Sequence, residues 1–130
     1  MKTGLPIRSL ICALVVTVAT AITAFGQGTT SRVTGIVQDP TGAAVENATV
    51  TLRNEATGVT ITTQTTSAGA YVFDSVQVGT YTLAVEVPGF KKFAATGNAI
   101  NVNQPATIDV TLEAGNISET VTVESAAELV

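Results

Sequence analysis

Side chains that transfer protons or attack carbonyls near neutral pH are scarce in this chain. It contains no histidine, and its one cysteine, Cys12, lies in an apolar stretch near the start. Beyond that stretch a Ser-His-Asp or Cys-His arrangement is excluded, together with imidazole and thiolate metal ligands. Ten carboxylates remain. Hydrolysis by carboxylates alone needs two of them facing one cleft. The local pattern instead sets Asp39, Glu55 and Asp74 in turns and Glu86, Asp109 and Glu113 on outward strand positions. Ca²⁺ takes roughly six to eight oxygens; Asp39, Asp74 and neighbouring carbonyls are the only candidates, and without a D-x-D-x-D run they read as solvated turn acids. The expectation is a protein with no catalytic residues, cofactor or metal.

The remaining side chains with binding chemistry are aromatic. The stretch SAGAYVFDSVQVGTYTLAVEVPGF, Ser67 to Phe90, holds Tyr71, Phe73, Tyr81 and Phe90. An exposed aromatic face stacks on a sugar ring. Tyr71 and Phe73, however, share one strand face, and Tyr81 shares one with Leu83, Val85 and Val87, which is the pattern of side chains pointing inward. Core or rim is the expectation for all three, with Tyr71 the candidate contact should a glycan bind. Phe90 and Phe93 differ. They flank Lys91 and Lys92 just after the Pro88-Gly89 corner, where alternation no longer turns them inward. Phe90, Lys91, Lys92 and Phe93 are therefore the candidate partner patch, with one phenylalanine expected to plug an end of the fold.

The elements that must position these residues are strands. Val, Thr and Ile crowd the chain and are broken by Gly, Pro, Asn or Asp about every 8 to 12 residues, the cadence of an all-β sandwich. The pattern predicts strands over Arg32–Gln38, Thr49–Asn54, an edge strand over Val59–Thr66, and Ala70–Phe73. It then predicts Thr80–Val87, a loop from Phe90 onward, a short strand near Ile100–Asn103, and Thr107–Leu112. That makes about seven antiparallel strands in the core unit, and Glu119–Val123 offers one more. Val37, Val50, Leu52, Tyr71, Phe73, Leu83, Val85, Ile108, Val110 and Leu112 form the expected inward set.

At the start, Lys2 and Arg8 precede an uncharged apolar run from Leu10 to Ala24, and Ala24-Phe25-Gly26 supplies small residues around a cleavage point before Gln27. This is the layout of a secretory signal peptide; a membrane-spanning helix needs about 20 apolar residues, more than this run offers. Bulky Ile11 argues against Cys12 as a lipoprotein cysteine. The expected organisation is a signal peptide over 1–26, a short segment over 27–31, a β-sandwich over 32–113, and an extra strand with a linker-like tail over 114–130. That tail reads equally as the start of a linker or as a frayed end. Beyond residue 26, four basic residues face all ten acids, giving −6 against −4 for the whole chain. Such a balance excludes a nucleic-acid footprint and disfavours anionic lipid, so membrane association is expected only through a larger receptor.

The turn glycines and core positions resemble a known family. Gly35-Ile36-Val37-Gln38-Asp39, Gly42-Ala43, Val50-Thr51-Leu52 with Asn54 and Thr57-Gly58, Gly69-Ala70-Tyr71-Val72-Phe73, Tyr81-Thr82-Leu83 and Gly89-Phe90 are similar to the carboxypeptidase regulatory-like domain from about Arg32 to Leu112. The resemblance implies a seven-stranded prealbumin-like sandwich, also grouped with starch-binding-like folds, with immunoglobulin-like architecture. It further implies a place directly after the signal peptide of a TonB-dependent outer-membrane receptor, with Glu119–Val130 like the strand and linker leading to the plug. The function it suggests is a non-catalytic exported module that docks a receptor plug or barrel, another envelope protein, or a polysaccharide. Alternatives are a carbohydrate-binding module and a purely structural spacer. The expected location is the periplasm or outer membrane of a bacterium, or secretion.

Overall fold

The computed structural model describes residues 28–125, with positions 4, 6–8 and 11 ahead of them. The expected signal peptide falls almost wholly outside the described residues, as does the tail 126–130. Nine strands follow in order: β1 (Thr30–Gln38), β2 (Thr49–Asn54), β3 (Thr60–Gln64), β4 (Ala70–Gln77), β5 (Gly79–Glu86), β6 (Lys92–Ile100), β7 (Ala106–Thr107), β8 (Val110–Thr111) and β9 (Thr120–Glu124). They form two sheets, one ordered β4-β1-β7 with β8 also paired to β1, the other ordered β3-β2-β5-β6-β9.

Alternation explains the core. Val50 and Leu52 on β2 lie opposite Val85 and Leu83 on β5, so one face of the larger sheet is a continuous apolar surface. Val33 on β1 lies opposite Phe73 on β4, and Tyr71 meets Phe73 edge-on at 5.9 Å. Val33, Val37, Val50, Leu52, Leu83 and Val85 have no exposed surface. Each such aliphatic side chain contributes about 1.5–3 kcal/mol by leaving water. Of the inward set, all are buried except Ile108, which is half-buried; Val33, Val45, Ala48, Val76, Tyr81, Ala95 and Ile100 join it.

The all-β sandwich and the edge position of β3 agree with the sequence reading, but four local expectations do not. The loop after Phe90 is the nine-residue strand β6, paired on both sides, to β5 antiparallel and to β9 parallel. KFAATGNAI alternates poorly because Ala, Thr and Asn occupy positions where pairing, not apolar burial, fixes the backbone. The strand expected near Ile100–Asn103 is instead a turn closed by an Asn101–Gln104 bridge, with Asn103 at φ 54°. Asp74 sits within β4 rather than in a turn, because a bulge at Ser75, φ 57°, lets the strand continue to Gln77. Thr107–Leu112 splits into β7 and β8, and both run parallel to β1.

A crossing of side chain and backbone causes that split. Tyr71 passes over β1 at Gly35 and donates its hydroxyl to the Ile108 carbonyl. A Cβ on Gly35 would overlap that same carbonyl, so only glycine fits. With Ile108 drawn aside, the Asp109 carboxylate accepts the Ile36 amide at 3.0 Å in place of a ladder carbonyl.

Candidate functional site

The predicted patch at Phe90–Phe93 is held mostly by the chain itself. Phe90 and Phe93 are half-buried and pack on the core. Phe90 bridges to Ala114, the Lys91 amide donates to Glu113 O and the Lys92 amide to Glu119 O, both at 2.8 Å. The Lys91 ammonium lies between Glu113 at 3.6 Å and Glu119 at 3.5 Å, and Lys92 meets Glu86 at 2.9 Å. Both lysines are thus paired within the domain, and the four residues form a clasp that secures the segment leading into β9. Tyr71, the fifth predicted contact, is 2% exposed. Burial, and then the nearby Asp109 charge, push its phenol pKa up, so it stays a neutral donor.

Two features remain open, one that the residue pattern marked as an edge strand and one that it did not single out. The first is the β3 edge. The Asn54 amide donates to Val59 O and the Thr65 amide to Ala48 O. By antiparallel alternation, residues 59, 61, 63 and 65 face β2 with their backbone, while Thr60, Thr62 and Gln64 turn theirs outward. No strand pairs with that side among the described residues. Ile61 lies opposite Leu52 and shares its inward face. There, at the open side of the sandwich, it lines a groove of about 280 Å³ with Val59, Val76 and Tyr81. From Ala56 to Phe73 the chain carries no charge. The edge is therefore uncharged, proline-free and partly apolar.

The second feature is at one end of the larger sheet. β5 and β6 lose register between Tyr81 and Leu83, where a bulge at Gly97, φ 72°, adds a residue to β6. Two side chains brace it. Glu55, from the β2–β3 turn, accepts the Gly97 amide at 2.8 Å and the Thr82 hydroxyl at 2.9 Å, which hold its carboxyl below the usual range. Asn98 donates its Nδ2 to Tyr81 O at 3.0 Å and Ala95 O at 2.8 Å, supplying bonds the ladder has lost. Beside the bulge lies a cavity of about 430 Å³ lined by Asn98, Asn101, Gln104, Thr107 and Ser125, with Ile100, Pro105 and Ile108 among its apolar lining. The clue in the sequence was the amide-rich run GNAINVNQ, Gly97 to Gln104.

Among the described residues no cluster of carboxylates is placed to hold a metal ion. No helix there is long and apolar enough to cross a membrane.

Two packed sheets, one with a bulge in its inner strand β6, define a β-sandwich domain. The chain belongs to the carboxypeptidase regulatory-like domain family, whose pattern matches residues 32–113. The prealbumin-like sandwich that the resemblance implied is the fold found. β9 lies beyond the matched residues yet completes the sheet. Solved structures share the fold at low identity. A candidate carbohydrate-binding protein from Bacteroides uniformis has 21% identity and a TM-score of 0.54, over 65% of this chain and 42% of that one. A streptococcal ancillary pilin has 16% identity and a TM-score of 0.53, over 68% and 34%. A catechol 1,2-dioxygenase variant from Acinetobacter radioresistens has 13% identity and a TM-score of 0.53, over 76% and 58%. This chain thus spans from a third to rather more than half of each. No curated protein matches the sequence.

Proposed function

We propose that this chain is an exported, non-catalytic docking module, the N-terminal sandwich of an outer-membrane receptor of the TonB-dependent kind. The family is a regulatory one, and its match covers the sandwich that would stand between a signal peptide and a plug. The observation that carries docking is the β3 edge: outward backbone groups at Thr60, Thr62 and Gln64, no charge, and an apolar groove alongside. An extended segment of an envelope protein adds there as a further strand, with main-chain bonds giving affinity and alternate side chains entering the groove. The clasp at Lys91 gives the module a firm exit, since β9 is tied to β6 before the chain continues.

Sequencing the reading frame past the codon for Val130 tests the receptor assignment. An in-frame plug and barrel is the expected result, and a stop codon with no such segment downstream would overturn it. Docking is tested separately with Thr62→Pro, which removes an outward amide but no β2–β3 ladder bond. Binding of the neighbouring plug segment is expected to fall at least about tenfold in this variant; unchanged binding rules out the edge.

A further inference from the structure

We infer that the cavity at the β6 bulge is a binding site for a neutral, polyhydroxylated ligand, a saccharide chain segment in chemical class. Among the described residues its polar lining is entirely uncharged. Asn98, Asn101, Gln104, Thr107 and Ser125 contribute amides and hydroxyls and no carboxylate, ammonium or guanidinium. Amides and hydroxyls both donate and accept, which matches the hydroxyl groups of a sugar, and they bring no formal charge to hold an ionic ligand. The volume, about 430 Å³, falls in the ordinary range of ligand clefts.

The decisive group is Asn98. It is 7% exposed, and both its Nδ2 bonds go to backbone carbonyls, at 3.0 Å to Tyr81 and 2.8 Å to Ala95. Those two bonds fix the orientation of the amide. No protein donor among the described residues reaches its Oδ1, yet this atom is not sealed from solvent. A side chain more than nine-tenths buried thus lines the cavity with an oriented amide whose Oδ1 accepts no bond from a described residue. Ordering that acceptor has already been done by the fold, so a ligand hydroxyl meets it at little entropic cost.

The remaining walls are also built rather than incidental. The Asn101–Gln104 bridge holds the turn above the cavity, and the Ser31 hydroxyl donates to Gln104 O at 2.9 Å. Ser125 is fixed by its amide bond to Thr96 O at 2.8 Å. That wall comes from the end of β9, beyond the family-matched residues. Pro105 and the half-buried Ile108 supply the apolar surface exposed there, with Ile100 buried behind them.

The site is independent of the β3 edge and of the receptor assignment. The test is a chemical-shift titration of the full ¹⁵N-labelled chain with linear neutral hexasaccharides of glucose, mannose and xylose, and with hexagalacturonate as the charged control. At least one neutral hexasaccharide is expected to move Asn101, Gln104 and Thr107 saturably with Kd of about 1 mM or tighter. The double variant Gln104→Ala/Thr107→Val, which leaves the bonds of Asn98 intact, is expected to weaken it at least about tenfold, while Thr62→Pro leaves it unchanged. No saturable shift with any neutral sugar up to about 10 mM, shifts confined to the β3 edge or the Phe90–Phe93 clasp, or stronger binding of hexagalacturonate would each overturn the proposal.

Discussion

Gly35, Tyr71 and Ile108 form a three-residue lock in which each member fixes another. The hydroxyl of Tyr71 reaches the Ile108 carbonyl only because Gly35 leaves the space. Tyr71→Phe deletes one bond to a half-buried carbonyl and is expected to cost about 1 kcal/mol, read from urea denaturation. Gly35→Ala forces a methyl onto that carbonyl, and the expected loss is larger, about 2–4 kcal/mol. Glu55 makes a prediction of a different kind. Its carboxyl is held low by the Gly97 amide and then by the Thr82 hydroxyl. A depressed carboxyl stabilises the fold above its unfolded pKa, and that contribution disappears as pH falls through the folded value. Wild type and Glu55→Gln should therefore differ most near about pH 6 and converge toward about pH 3 in pH-resolved thermal melts. Asp39, held low by Thr41 and Ala43, is common to both proteins, so the difference isolates Glu55.

Among the elements, β2 and β5 were legible because Val50, Leu52, Tyr81, Leu83 and Val85 alternate strictly, and a half-buried sheet imposes that period on any sequence. β6 was not. Its identity depends on β5 and β9 lying on either side, a long-range fact that Ala94, Thr96 and Asn98 do not announce. The same holds for the candidate site. Phe90 to Phe93 drew attention by composition, yet of their partners Glu113 stands at the last position of the predicted sandwich and Glu119 in a segment that local pattern treats as a separate tail. The bulge that positions Asn98 is likewise a property of two strands together. β9 buries little, with only Val121 half-buried in a strand otherwise exposed. Exposed ion pairs contribute about 0–1 kcal/mol each, so Lys91→Ala is expected to raise hydrogen-exchange rates at Val121 and Val123 while β2 and β5 keep their protection. Equal loss across both sheets would mean that the clasp supports the whole sandwich.

At the scale of the whole molecule, stability comes from one apolar layer between two sheets, without a cysteine beyond residue 12 to staple it. Leu83→Ala removes a side chain with no exposed surface from the middle of that layer and is expected to cost about 2–5 kcal/mol in denaturant unfolding. The pairings of β7, β8 and β9 add a mechanical consequence. β9 runs parallel to β6, with Thr120 opposite Lys92 and Glu124 opposite Thr96. Tension applied through Ser125 along the strand axis loads this ladder in shear, so its bonds resist together; tension across the sheet peels them one after another from Glu124. In single-molecule pulling through Ser125 against anchors placed either along the strand axis or across the sheet, the rupture force of β9 should therefore differ between the two geometries, which makes the exit strand an orientation-sensitive coupling between the sandwich and anything tethered behind it.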